Sequence, residues 1–311
     1  MPDTPELSEA RRTLIEKYLR GDLPQTTMAA GIQRKPAPPS SKSSRTPITA
    51  IQSSGPKRPF FFVHVHWIGG AFYCFDLAHK LGSDQPFYML EPYSFDGLQV
   101  PPTLETMVSA YIESLRTIQP EGPYILGGFC GGGLIIYEIA QQLRAAGQTV
   151  DLLALIDPWA GPIQLIKWVG TFIRRIGGLI HLRPDKQLDW FLRLRHLYRF
   201  VRNLQGDSTM RFPLFAATEA LRQDWMGIFT WVVSDYVPRQ YPGKVTYFWA
   251  SENHGSRRMW WGNVAETENE DKEREVYIIP GKHMTLVTEH IDDLTEELGK
   301  CLSKVQTVAL S

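Results

Sequence analysis

Cys130 lies in the run Tyr124-Ile-Leu-Gly-Gly-Phe-Cys-Gly-Gly-Gly-Leu134, where a short apolar stretch breaks at glycines and a helical pattern begins. Leu134, Tyr137, Ile139 and Leu143 carry that pattern. The spacing Gly128-x-Cys130-x-Gly132 is that of a sharp strand-to-helix turn presenting a nucleophile, with Cys where Ser is usual. Residues two before and two after such a nucleophile have no room for a side chain, which explains both glycines. The turn also sets the sulfur beside the free N–H groups that open a helix. These favour negative charge on a thiolate and on a developing oxyanion. The competing reading is a glycine-rich turn around an inert, buried Cys. A phosphate-binding loop does not fit, because no Lys-Ser/Thr follows the glycines.

A Cys nucleophile needs a base, and the base needs an orienting carboxylate. In the chain order nucleophile, acid, histidine, His283 stands out: it follows the last predicted strand in Ile279-Pro-Gly-Lys-His-Met284. His290 is a second choice, and His254 lies in a polar loop. His64, near the end of the first strand, and His66, just past it, read as histidines that shape its loop by hydrogen bonding. Two carboxylates compete for the acid. Glu252 follows the strand Tyr247 to Trp249, whereas Asp157 closes the strand Leu153 to Ile156 and Pro158 ends it. A carboxylate closing a Leu/Ile run gains little from packing and is better explained by an imidazole N–H, which favours Asp157. For the oxyanion, one N–H is expected from Gly131 and a second from Trp67 in the loop after the first strand.

Strands and helices alternate from Pro59 onward. Apolar runs at Phe60 to Val65, Phe87 to Leu90, Tyr124 to Leu126, Leu152 to Ile156, Val245 to Trp249 and Val276 to Ile279 read as strands. Helical patterns fall between them, one over 104–118, and a last helix runs from about Thr285 to Cys301. Strands this apolar predict a mostly parallel central sheet flanked by helices, an α/β fold. Between Asp157 and Lys244 the alternation stops, and long helical patterns cover Ile163 to Ile180, Leu188 to Leu204 and Phe215 to Val233. That insertion, about 159–240, is expected to form a helical lid. Its aromatics (Trp168, Phe172, Trp190, Phe229, Trp231) read mostly as the lid's own core. Its cations (Arg174, Arg175, Arg193, Arg195) read as a solvated face or as the rim of an acyl channel.

Upstream, 1–20 reads as a short N-terminal amphipathic helix with Leu14, Ile15, Tyr18 and Leu19 on one face, and 21–57 as a flexible Pro/Ser-rich linker to a domain over 58–311. The chain has 33 basic and 33 acidic residues among 311, so no global charge draws it to nucleic acid or an anionic membrane. No apolar run is long enough to span a bilayer, and no N-terminal apolar segment resembles a leader. Three scattered cysteines, Cys74, Cys130 and Cys301, fit a reducing cytoplasm better than a disulfide framework or a metal site.

These motifs together resemble the thioesterase domains of nonribosomal peptide and polyketide synthetases and their stand-alone relatives, which have the α/β-hydrolase fold. The similar stretches run from about Ile48 to Leu302. They include Pro59-Phe-Phe-Phe-Val-His64, Gly69-Gly-Ala-Phe72, Phe75 to Leu81, Gln119-Pro-Glu-Gly-Pro-Tyr124, the turn at Cys130, Ala154-Leu-Ile-Asp-Pro158 and Pro280-Gly-Lys-His283. The resemblance supports Asp157 over Glu252, because the family's acid follows the strand after the nucleophile's helix. It implies no resident cofactor. The acyl or peptidyl chain arrives on the 4′-phosphopantetheine of a carrier protein and leaves by hydrolysis, cyclisation or aminolysis. An editing thioesterase that clears stalled carriers and an inactive carrier-binding module are the alternatives. Most members carry Ser at position 130, many are bulkier at 131, and the long loop 253–274 is read as a second flap.

Overall fold

Four consecutive apolar residues, Phe60 to Val63, are all buried, and a strand buried on both faces requires helices on both sides of its sheet. The computed structural model shows such a sheet; it describes residues 46–65, 70–159, 164–204, 216–252, 261 and 274–308. The chain divides into two units. Ser44–Tyr198 with Phe215–Ser311 holds the sheet and the site, and Met1–Ser43 with Arg199–Leu214 forms the other. Of the latter only the end of one helix, 199–204, is described.

Seven strands make the sheet: β1 (Ile48–Gln52), β2 (Phe60–Val63), β3 (Phe87–Leu90), β4 (Tyr124–Phe129), β5 (Val150–Ile156), β6 (Val245–Ala250) and β7 (Arg274–Ile279). Their order is β1-β3-β2-β4-β5-β6-β7, with β1 antiparallel and the other pairs parallel. Phe61, Val63, Leu126, Leu153 and Leu155 face one layer, built by α2 (Leu104–Arg116) and α3 (Gly131–Ala145). Phe60, Phe62, Phe129, Ala154 and Ile156 face the other, built by α1 (Phe72–Lys80) and α8 (Ile291–Val308). Burying each of these Phe side chains contributes about 1.5–3 kcal/mol. The side chain of Thr103 starts α2 by accepting the Thr106 N–H.

β1 falls inside the stretch read as linker. Its residues are half-exposed at the sheet edge, apart from an exposed Ala50, so no apolar alternation marks them. The predicted helix within 1–20 and the Pro/Ser-rich run after it lie outside the described residues. The expected last helix is a 3-10 turn (Thr285–Val287) followed by α8 from Ile291.

The insertion after β5 carries α4 (Gln164–Leu179), α5 (Pro184–Leu204), α6 (Thr218–Arg222) and α7 (Trp225–Val233). The third predicted helical stretch is thus two helices, because the Asp224 side chain accepts the Gly227 N–H at 3.0 Å and starts α7 afresh. Ile166, Ile173, Leu188, Phe191, Leu192, Leu221 and Trp231 form a core of the lid's own. Arg174 serves that core: its guanidinium donates to the Trp231 carbonyl at 2.6 Å, pairs with Asp235 at 2.6 Å and lies 3.7 Å over the Trp231 ring. Arg195 pairs with Asp224 at 2.6 Å. These two cations therefore brace the lid from within, while Trp168, Phe172 and Trp190 are exposed. No helix among the described residues is long and apolar enough to cross a membrane.

The first turn of α3 passes directly over β2. A Cβ on Gly132 would lie 2.3 Å from the Val63 carbonyl oxygen, a backbone atom that cannot move aside. Gly132→Ala is therefore expected to lower the free energy of unfolding by about 1–3 kcal/mol, measured by urea denaturation. A variant as stable as the parent would contradict this packing.

Candidate active site

The strand order reverses between β2 and β4, since the chain runs outward to β3 and β1 on one side and to β5, β6 and β7 on the other. Ligands of open α/β sheets bind beside the carboxyl ends of strands at such a point. Cys130 stands there, immediately after β4, with φ 54° and ψ −122°. A non-glycine residue in that region carries strain of about 1–3 kcal/mol, so its surroundings must hold it. The Cys130 N–H donates to the Ile156 carbonyl at 3.1 Å, and its carbonyl accepts the N–H groups of Gly133 (3.1 Å) and Trp159 (2.9 Å). Gly128 is needed for the same bend, because a Cβ there would sit 2.5 Å from the Gly132 carbonyl oxygen.

Asp157 is delivered by the neighbouring strand. Phe129 pairs in register with Ile156, and Ile156 with Phe248, so β4, β5 and β6 end side by side. Asp157 also has positive φ, 35°, and its N–H donates to the Phe248 carbonyl at 2.7 Å. Its side chain is fully buried. His283 comes from the loop after β7, clasped by Ser251 N–H to the Ile279 carbonyl (2.8 Å) and Glu252 N–H to the Gly281 carbonyl (3.0 Å). From there its Nδ1–H donates to Asp157 Oδ2.

Burial alone would lower the His283 pKa. Hydrogen bonds to Asp157 and to Cys130, with the negative charge of both, outweigh it and raise the pKa to about 9. The imidazole is thus placed between carboxylate and sulfur. Of the three cysteines, all free, Cys130 alone is half-exposed; Cys74 and Cys301 are buried, and burial pushes both of those thiols up.

The other candidates take different places. Glu252 is exposed and its carboxylate faces Lys282 at 3.7 Å. His290 precedes α8 and contacts Asp293 at 3.3 Å. His64 is buried, with Nδ1 sharing a 3.1 Å hydrogen bond with the Tyr73 hydroxyl. Gly131 is the first residue of α3, where a backbone N–H has no partner within the helix. Trp67, His66 and His254 lie outside the described residues, as does most of the loop 253–274. Residue spacing gave no sign of Trp159, whose contribution is a backbone N–H. No group of three His, Cys, Asp or Glu among the described residues could hold a metal ion. A separate cleft of about 800 Å³, lined by Gln99, Asp189, Trp190, Arg193 and Arg222, contains none of the three site residues.

Sheet, bend and lid define an α/β-hydrolase. The profile of the thioesterase domain family matches residues 61–302, and the chain belongs to that family. It is 32% identical over 163 residues to a dimodular nonribosomal peptide synthase of Bacillus subtilis (strain 168), covering 52% of this chain and 7% of that protein. The atromentin synthetase nps3 of Serpula lacrymans is 28% identical, over 78% of this chain and 26% of its own length. The inactive atromentin synthetase invA4 of Paxillus involutus is 25% identical, over 84% and 28%. The chain therefore spans under a third of each of these relatives. Among solved structures, the NocB thioesterase domain, in a covalent complex with a fluorophosphonate nocardicin G analog, superposes with a TM-score of 0.55 at 21% identity. That match covers 82% of this chain and 99% of NocB's. It establishes the fold.

The raised pKa of His283 has a consequence for stability. The folded state holds this proton more tightly than the unfolded chain, so the contribution is complete below about pH 6.5 and is lost as pH rises through about 9. The stability difference between the parent and His283→Ala, from urea denaturation at several pH values, is expected to shrink by roughly 2–3 kcal/mol across that window. A difference independent of pH would contradict the assignment.

Proposed function

We propose that the chain is an acyl-transferring thioesterase that takes an acyl or peptidyl group from a phosphopantetheine-bound carrier protein onto Cys130. The observation that carries this reading is the imidazole of His283, hydrogen-bonded to the buried Asp157 carboxylate and near enough to Cys130 for the sulfur to raise its pKa. With its pKa near 9, His283 already holds the proton given up by the thiol when Cys130 attacks the thioester carbonyl carbon, and Asp157 orients the ring and balances its charge. The backbone N–H groups of Gly131 and Trp67 receive the oxyanion. The imidazolium then returns the proton to the departing pantetheine thiolate, leaving acyl-Cys130. A second nucleophile, again deprotonated by His283, releases the product and restores the thiol.

Exchange of one thioester for another is close to thermoneutral, so acyl-Cys130 keeps the activation that an oxygen ester would partly lose. Release by an amine or hydroxyl within the acyl chain therefore competes with hydrolysis. Likeness to synthetase domains supports a carrier protein as partner. A second reading, an inactive carrier-binding module, is favoured by one observation: a 25% identical relative is named inactive.

Intact-mass measurement against a panel of acyl-pantetheine thioesters separates these. The parent is expected to gain the acyl mass and turn over, and Cys130→Ala to do neither. Asp157→Asn is expected to lose about 10²–10⁴-fold in kcat. An acyl adduct in Cys130→Ala would refute the nucleophile, and no adduct in the parent would favour the inactive module. A flat chain-length profile with hydrolysis alone would instead mark an editing enzyme.

A further inference from the structure

The hydrogen bond to Asp157 and the interaction with Cys130 leave the plane of the His283 ring free to turn. The plane has a second support. The His283 ring lies 4.7 Å from the ring of Phe129, tilted by 20°, in a stacked arrangement. Phe129 is the residue before Cys130, the last of β4, and is 3% exposed.

Phe129 is itself held from behind. The ring of Tyr73, on α1, meets it nearly edge-on at 5.5 Å and 66°. Tyr73 packs on Phe62 of β2 at 6.2 Å and 75°, and its hydroxyl bonds to His64. Tyr73 meets both phenylalanine rings edge-on, whereas the contact of Phe129 with His283 is face to face. A face-on approach suits a ring that carries positive charge, because the π face of Phe is negative.

We propose that Phe129 is a positioning residue for the reaction: its ring is the platform that keeps the His283 imidazole in plane between Asp157 and Cys130 while it carries the thiol proton. The proposal rests on the catalytic reading of His283 given above. It also explains why an aromatic residue occupies the middle of Gly128-x-Cys130, where an aliphatic one would fill the core equally well.

Groups with charge face His283 from several elements: Asp157 after β5 and Cys130 at the bend, both hydrogen-bonded to it. In its own loop Lys282 is paired with Glu252, which follows β6, and His290 before α8 with Asp293. Tyr73 of α1 lies behind Phe129. Phe129→Leu keeps every one of these charged groups and removes the π face toward His283 together with the edge contact of Tyr73.

The test uses the full chain with ¹⁵N-labelled histidine, the His283 resonance being assigned with His283→Ala. Its titration midpoint is followed by NMR from about pH 5.5 to 10, beside kcat and KM for an acyl-pantetheine thioester. Phe129→Leu is expected to move the midpoint down by about half to one pH unit and to lower kcat about 3–10-fold with KM unchanged. Phe129→Tyr, which keeps the ring, is expected to stay within about twofold of the parent. An unmoved midpoint in Phe129→Leu, or equal losses in Phe129→Tyr, overturns the proposal. Phe129→Met is judged by the same criteria if the Leu variant does not fold. The titration needs no turnover, so a parent without thioesterase activity would refute the catalytic reading and leave this test intact.

Discussion

The site depends on one steric constraint: the first turn of α3 has to pass over the ends of β2 and β4 with no side chain between. Gly132 comes within reach of the Val63 carbonyl, and Gly128 within reach of Gly132, so two positions must be glycine. Cys130 between them is driven to positive φ and lifted to the edge of the sheet. Its strain is offset by three backbone hydrogen bonds, to Ile156, Gly133 and Trp159. Two of these partners flank Asp157 in sequence. Holding Cys130 in its bend and placing Asp157 are therefore one piece of architecture.

Electrostatics completes what the backbone begins. A carboxylate as buried as Asp157 is costly without a partner, and the His283 N–H supplies one. Burial works against charge on the imidazole, yet the two acidic neighbours win and hold its pKa near 9. The proton shared by these groups is thereby kept inside the site. The lid meets the bend through Phe229, which lies beside Gly131. Arg174 and Arg195, which by composition could have lined a basic rim, are spent on Asp235 and Asp224 within it.

Much of this was legible from residue types because steric demands leave marks in sequence. Glycines at 128 and 132 announce the bend, and a histidine four residues past a strand announces the base. The acid was harder, since Asp157 and Glu252 both follow strands. What separates them is depth: Asp157 follows a central strand and is fully buried, while Glu252 turns to solvent and Lys282. β1 escaped notice because an edge strand of mostly half-exposed residues shows no clear periodicity after a Pro/Ser run. The contact of Phe129 with His283 could not be seen either, because in a strand buried on both faces every aromatic reads as core.

The account stands on the coupling of Asp157, His283 and Cys130 in one site, and proton NMR of the parent reads that coupling directly. A low-field resonance from the His283 Nδ1–H is expected, absent in Asp157→Asn and His283→Ala and shifted once iodoacetamide has alkylated Cys130. A low-field resonance that ignores alkylation, or none at any pH at which the protein is folded, would mean that sulfur and imidazole do not share a site.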